Sequence, residues 1–220
     1  MNGNISFLLS LSIVFPFIVG LARYSKIQDN YQPFLFYIFI SFASEIASYV
    51  LIKLFHSNLI FLNIFSLVES FVLIIQFHKW GFIKKNRNFY SFLTILFLGW
   101  ITENFLLSDI HRTNRIFLIC YSFLLVLLSI REINRAMILS NQAVSDNARI
   151  IICIGFIIFF TFNIIAQTFR FFGSGFSKEF MKHLFSIVAY TNAITNIVYA
   201  FGVYYIPRKR SSVTIFTNND

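Results

Sequence analysis

The dominant feature of the sequence is an alternation between long apolar runs and short polar connections. A helix needs about 20 apolar residues to cross a bilayer, because each residue rises about 1.5 Å and the hydrocarbon core is about 30 Å thick. Seven runs reach or approach that length, and they cover residues 5–22, 33–55, 58–77, 89–107, 115–130, 150–172 and 183–206. The pattern therefore predicts an all-α, polytopic integral membrane protein built as a bundle of seven transmembrane helices.

The fifth run is the shortest, and it ends at Arg131. Joining it to the sixth run would bury several charged side chains, each at a cost of roughly 2.5 to 3.5 kcal/mol on insertion scales. Two helices separated by a polar linker over 131–149 are therefore predicted. The remaining connections are short, so we expect a single seven-span membrane domain over 1–210 and a short polar cytoplasmic tail over 211–220.

Composition agrees with a membrane environment. Hydrophobic residues make up 57% of the 220 residues, charged residues 12%, and the mean hydropathy is +0.72. A soluble domain of this length carries more charge on its surface, so membrane lipids are the predicted surroundings. The net charge of +9 does not indicate a nucleic-acid partner, because the 18 Lys and Arg residues are spread over many short loops instead of one basic face.

The distribution of these basic residues predicts the orientation. Cytoplasmic connections of membrane proteins carry an excess of Lys and Arg. With the amino terminus outside and the carboxyl terminus in the cytoplasm, the cytoplasmic side receives twelve of them: Arg23, Lys26, Lys79, Lys84, Lys85, Arg87, Arg131, Arg135, Arg149, Arg208, Lys209 and Arg210. The other side receives the remaining six. We therefore predict this orientation, in a plasma or inner membrane.

Three acidic residues interrupt the apolar runs: Glu45, Glu69 and Glu103. An ionisable side chain is costly in hydrocarbon, so such residues face the interior of a bundle and often have a function. Glu45 and Glu69 lie near the middle of the second and third runs, and Glu103 lies in the outer half of the fourth. Glu45 is the candidate proton carrier.

Polar side chains on other helices accompany these acids. Arg170, on the sixth run, is the expected counter-ion of Glu69 or Glu103. The sequence predicts one internal cavity, open toward the outer face, whose ligand-binding residues are Glu45, Asn63, Glu69, Glu103, Asn163, Gln167, Arg170 and Asn192. Small polar residues also hold membrane helices together, so a packing role for the Ser, Thr and Asn residues stays open.

The leading functional hypothesis is a protein that binds a small or lipid-like ligand as a carrier or membrane sensor, without a cofactor and without enzymatic activity. One alternative is a membrane-embedded enzyme acting on a lipid or isoprenoid, with a metal held by His56, His111 and His183, because imidazoles are common ligands of catalytic zinc. Another is a structural subunit that packs against a partner membrane protein.

Overall fold

The computed structural model describes residue 9 and residues 11–83, 85–139, 147–172 and 175–209. The predicted tail over 211–220 and the beginning of the first predicted span lie outside the described residues. Seven α-helices follow one another: α1 (Val14–Arg23), α2 (Gln32–Phe55), α3 (Leu59–Lys79), α4 (Asn86–Ile101), α5 (Arg115–Leu139), α6 (Ala148–Phe171) and α7 (Lys178–Tyr205). The predicted all-α polytopic membrane bundle is confirmed.

Six of these helices, α2 to α7, are long and apolar enough to cross a membrane. Within the described chain α1 has ten residues, preceded by a 3-10 turn over Leu11–Ile13. The outer faces carry many large apolar side chains, and Leu106 and Ile138 are 75% and 84% exposed. Such a surface is unfavourable in water and suits contact with lipid tails, so the described helices contact membrane lipids.

Local sequence signals explain several helix ends. Pro33 lies in the first turn of α2, where its missing N–H costs no helical hydrogen bond. The side chains of Asn147 and Ser177 accept hydrogen bonds from the first turns of α6 and α7. Pro207 follows α7 directly and ends it.

Several helix boundaries differ from the prediction, and α7 begins five residues early, at Lys178. The fifth helix does not end at residue 130 but continues to Leu139, so the first part of the predicted polar linker is helical. One charged side chain of this extension, Glu132, is fully buried and pairs with Arg135 and Arg149, whereas Arg131 is exposed. The fourth helix changes to a π-helix over Thr102–Leu107, within the predicted run.

The helices pack in an almost closed ring. α5 packs along α6 and α6 along α7, α1 packs between α7 and α2, and α3 packs on α2. The fourth helix lies on α3 and has little contact with α5. A core of buried aromatic rings fills the ring's interior, where Phe34, Phe156 and Tyr199 meet edge to face with centroids 5.4–5.8 Å apart.

The segment after α7 is joined to the α1–α2 connection at one end of the bundle. Ile27 and Arg208 form an isolated antiparallel bridge, and the Lys209 ammonium lies 2.5 Å from the Asp29 carboxylate. The Arg23 guanidinium donates hydrogen bonds to the carbonyl oxygens of Val203 and Ile206, at 3.3 and 2.9 Å. These contacts place the α1–α2 connection and the end of α7 on the same side.

Candidate functional site

A small polar cavity lies between α2, α3, α6 and α7, near the middle of these helices. Its volume is about 70 Å³. Two carboxylates, Glu45 from α2 and Glu69 from α3, line it together with hydroxyl and amide side chains. The full lining consists of Ile13, Tyr37, Ser41, Ser44, Glu45, Phe65, Glu69, Phe159, Asn192, Asn196 and Tyr199. The two mid-membrane acids of the sequence therefore share one cavity.

Glu69 is held by phenol groups. The Tyr121 hydroxyl of α5 donates a hydrogen bond to the Glu69 carboxylate at 2.5 Å, and the Tyr37 hydroxyl of α2 approaches the same carboxylate. All three side chains are buried. Hydrogen bonds to a carboxylate stabilise its charge in a low-dielectric site and fix its orientation. The carboxylate thus has a defined position at the cavity wall.

Buried hydroxyl groups surround the cavity beside the two acids. The Ser41 and Tyr199 hydroxyls are buried without a well-directed hydrogen bond among the described residues, although both lie next to the Tyr37 hydroxyl. Across the cavity, the Asn196 amide donates to the Ser12 hydroxyl at 2.8 Å. Both residues line the cavity, and a hydroxyl oxygen beside one partner keeps a second lone pair.

Two of the predicted cavity residues, Asn63 and Glu103, lie elsewhere, at the connection between α4 and α5. The Glu103 carboxylate accepts hydrogen bonds from the backbone N–H groups of Ile116 and Phe117, in the first turn of α5. The Asn63 amide donates to the carbonyl oxygens of Ile110 and Arg112 at 2.8 and 2.7 Å. Both side chains therefore bind backbone groups and hold this connection on α3.

The remaining predicted residues of α6 form a separate small cluster. The Gln167 amide donates to Asn163 at 3.3 Å, and the Asn163 amide donates to the Ser122 hydroxyl of α5 at 3.4 Å. The Arg170 guanidinium lies 4.7 Å from the centre of the Phe185 ring. Among the described residues no ion pair joins Arg170 to Glu69 or Glu103, so the expected counter-ion pairing is wrong. Of the eight predicted residues, Glu45, Glu69 and Asn192 share the cavity.

A further buried acid, Glu132, was not predicted from the sequence and lies at the end of the bundle where α1 and α2 are joined. Its carboxylate accepts hydrogen bonds from Arg135 at 2.7 and 2.9 Å and lies 3.6 Å from Arg149. Spacing could have revealed it, because Leu125, Ser129, Glu132 and Ala136 continue one buried face of α5 at intervals of four, three and four residues. The charged residues Arg131, Glu132 and Arg135 follow the apolar run directly, so the prediction placed the end of the helix before them.

No group of three His, Cys, Asp or Glu side chains in the described part of the chain could hold a metal ion. All three predicted metal ligands are exposed. His56 follows the last residue of α2, His111 lies in the α4–α5 connection, and His183 lies near the start of α7. They are not gathered into one site. The arrangement at the cavity offers carboxylate, hydroxyl and amide groups, which suit binding of a cation or polar solute.

Comparison with known proteins adds no assignment. No protein family, curated protein or solved structure matches this chain.

Proposed function

We propose that this protein binds a small cation, the proton included, between Glu45 and Glu69, and acts as a carrier or a membrane sensor of that cation. The observation that carries the proposal is the presence of two carboxylates from neighbouring helices in one mid-membrane cavity. An ionised carboxylate is costly in hydrocarbon, and a cation bound between two of them offsets this cost.

The size of the cavity favours a small ion over a lipid-like ligand. Its volume is about 70 Å³. A cavity needs about 10–15 Å³ to hold one water molecule, so this cavity has room for an ion with a few waters. An acyl chain does not.

The chemistry of the lining also favours a cation. Its polar groups are carboxylate, hydroxyl and amide oxygens, and none of its described members is basic. Oxygen atoms of these kinds are the preferred ligands of hard cations. The buried hydroxyls of Ser41 and Tyr199 supply two further oxygens that lack a well-directed internal partner.

Cation-dependent stabilisation tests the proposal. The thermal unfolding of the purified full chain would be followed in LiCl, NaCl, KCl and NH4Cl at constant ionic strength, with choline chloride as the cation too large for the cavity. A ligand that binds only the folded state stabilises it by about 2.7 kcal/mol at one hundred times its Kd. We expect a saturable rise in Tm with at least one small cation. Because a proton is expected to bind the same carboxylates, Tm should also rise as the pH is lowered.

Variants connect the response to the cavity. Glu45→Gln and Glu69→Gln keep the size of each side chain and remove its charge, so each should abolish the response. Glu179→Gln changes an exposed acid at the start of α7 and should leave the response to cations intact. A response that survives in both cavity variants, or its absence in the wild-type chain, overturns the proposal. Cation flux in reconstituted vesicles then indicates a carrier, and binding without flux indicates a sensor.

A further inference from the structure

A second site, unrelated to the central cavity, lies in a groove between α4 and α5. Its volume is about 750 Å³, within the usual range of small-molecule sites. We propose that this groove binds the phosphate-bearing headgroup of an anionic phospholipid. The lining residues come from the α3–α4 connection, α4 and α5: Gly81, Phe82, Ile83, Lys85, Asn88, Phe92, Leu128, Arg131, Asn134, Arg135 and Ile138.

The groove exists because α4 and α5 are held together at one end and separate at the other. At the outer end, Glu103 binds the first backbone N–H groups of α5. Elsewhere α4 has little contact with α5 and lies on α3. The two helices therefore form a wedge whose wide end is at the beginning of α4 and the second half of α5.

The wide end of the wedge lies on the predicted cytoplasmic side. Arg135 donates hydrogen bonds to the carbonyl oxygens of Trp80 and Gly81, at 2.6 and 3.0 Å, and so fixes the α3–α4 connection on α5. The Trp80 ring meets Tyr31, just ahead of α2, with centroids 5.8 Å apart. Connections between membrane helices reach the surface of the bilayer, where the lipid headgroups lie.

The polar part of the groove is basic. Lys85, Arg131 and Arg135 line it, accompanied by the amides of Asn88 and Asn134, and none of the described lining residues is acidic. Glu132, buried behind this wall, already binds Arg135 and lies beside Arg149. Lys85 and Arg131 are exposed, and the Arg131 guanidinium lies 5.1 Å from the centre of the Phe82 ring. These two cations are free to bind a phosphate.

The remaining walls are apolar and continue onto the lipid-facing surface. Phe92, Leu128 and Ile138 contribute them, and Ile138 is 84% exposed. A site that combines phosphate-binding cations with an apolar side open to the bilayer fits an amphiphile better than a free anion. Basic pockets between helices on the cytoplasmic side bind anionic lipid headgroups in this way.

Lipid retention by the full chain tests this inference. The protein would be purified from vesicles of equal phosphatidylglycerol and phosphatidylcholine, and the bound lipids counted by native mass spectrometry. We expect phosphatidylglycerol to be retained in preference. The double variant Lys85→Gln/Arg131→Gln should lose about fivefold in phosphatidylglycerol affinity for each charge removed. Lys53→Gln/Lys182→Gln removes the same charge from exposed positions toward the outer ends of α2 and α7 and should keep the preference.

Two further measurements decide between the lipid and other anions. Asn88→Trp fills the groove without changing its charge and should also reduce phosphatidylglycerol retention. The unfolding temperature of each variant verifies its fold. Equal retention of the two lipids by the wild-type chain, or an equal loss in the Lys53/Lys182 control, overturns the inference. So does inorganic phosphate if it displaces the lipid at equal concentration, because the site would then bind a free anion.

Discussion

A carboxylate buried in a membrane bundle needs hydrogen bonds or a cation, and the buried glutamates of this chain obtain them from different sources. Glu69 is bound by the Tyr121 hydroxyl and faces the cavity, Glu103 is bound by backbone N–H groups of α5, and Glu132 is bound by arginines. Only the first of these three leaves a face of the acid toward a space where a ligand fits. Glu69 is therefore a candidate binding residue, whereas Glu103 and Glu132 have structural roles.

The contacts of Glu103 lead to a prediction about stability. Glu103→Ala removes a charged acceptor from two backbone N–H groups at the start of α5, so we expect the free energy of unfolding to fall by about 2 kcal/mol. The response to small cations should remain, because Glu103 does not line the cavity. Denaturation in detergent and the cation titration measure the two effects. A variant of unchanged stability that no longer responds to cations would instead place Glu103 in the binding site.

At the scale of helices, the close packing of α6 on α7 depends on two glycines. A Cβ atom on Gly155 would lie 2.4 Å from the Tyr199 ring, and one on Gly202 would lie 2.8 Å from Ile152. These distances are too short for carbon atoms, so each glycine leaves the room in which a side chain of the other helix packs. The approach also places the Tyr199 hydroxyl at the cavity. Helix packing and the cavity are therefore linked through Tyr199.

Gly155→Ala should disturb both properties. The added methyl group displaces the Tyr199 ring, so we expect a loss of about 1–3 kcal/mol in stability and weaker cation binding. Gly99→Ala is the matched control, because its Cβ would make an ordinary contact, 3.9 Å from Phe117, within another membrane helix. Unfolding curves and cation titrations of the two variants provide the comparison. Equal stability of the two variants would show that α6 and α7 are not in close contact at Gly155.

The apolar runs predicted the helices well, because the length of an apolar run is set by the thickness of the bilayer. The end of α5 was predicted wrongly, since sequence alone does not reveal that Arg135 and Arg149 compensate the buried Glu132. Periodicity predicted that Glu45 and Glu69 point inward. It could not predict that Asn63 and Glu103 bind the α4–α5 connection, because the rotation of one helix against another depends on contacts between distant residues.

At the scale of the whole molecule, the arrangement of charge supports a helical membrane bundle with two kinds of polar site. Basic residues collect where the α1–α2 connection, the α3–α4 connection and the segment after α7 meet, and the wedge between α4 and α5 opens there. Two acids, Glu45 and Glu69, lie deeper, in the central cavity. A cation site within the bundle and an anionic-lipid site at its surface follow from this separation of charge.

The central claim is that Glu45 and Glu69 bind one cation together. Infrared difference spectroscopy of the full chain, recorded while a small cation that stabilises it is exchanged for choline, observes the carboxylates directly. The account predicts a change in the carboxylate stretching bands that disappears in Glu45→Gln and in Glu69→Gln and persists in Glu179→Gln. Carboxylate bands that do not respond in the wild-type chain, or that still respond when both cavity acids are replaced, would contradict it.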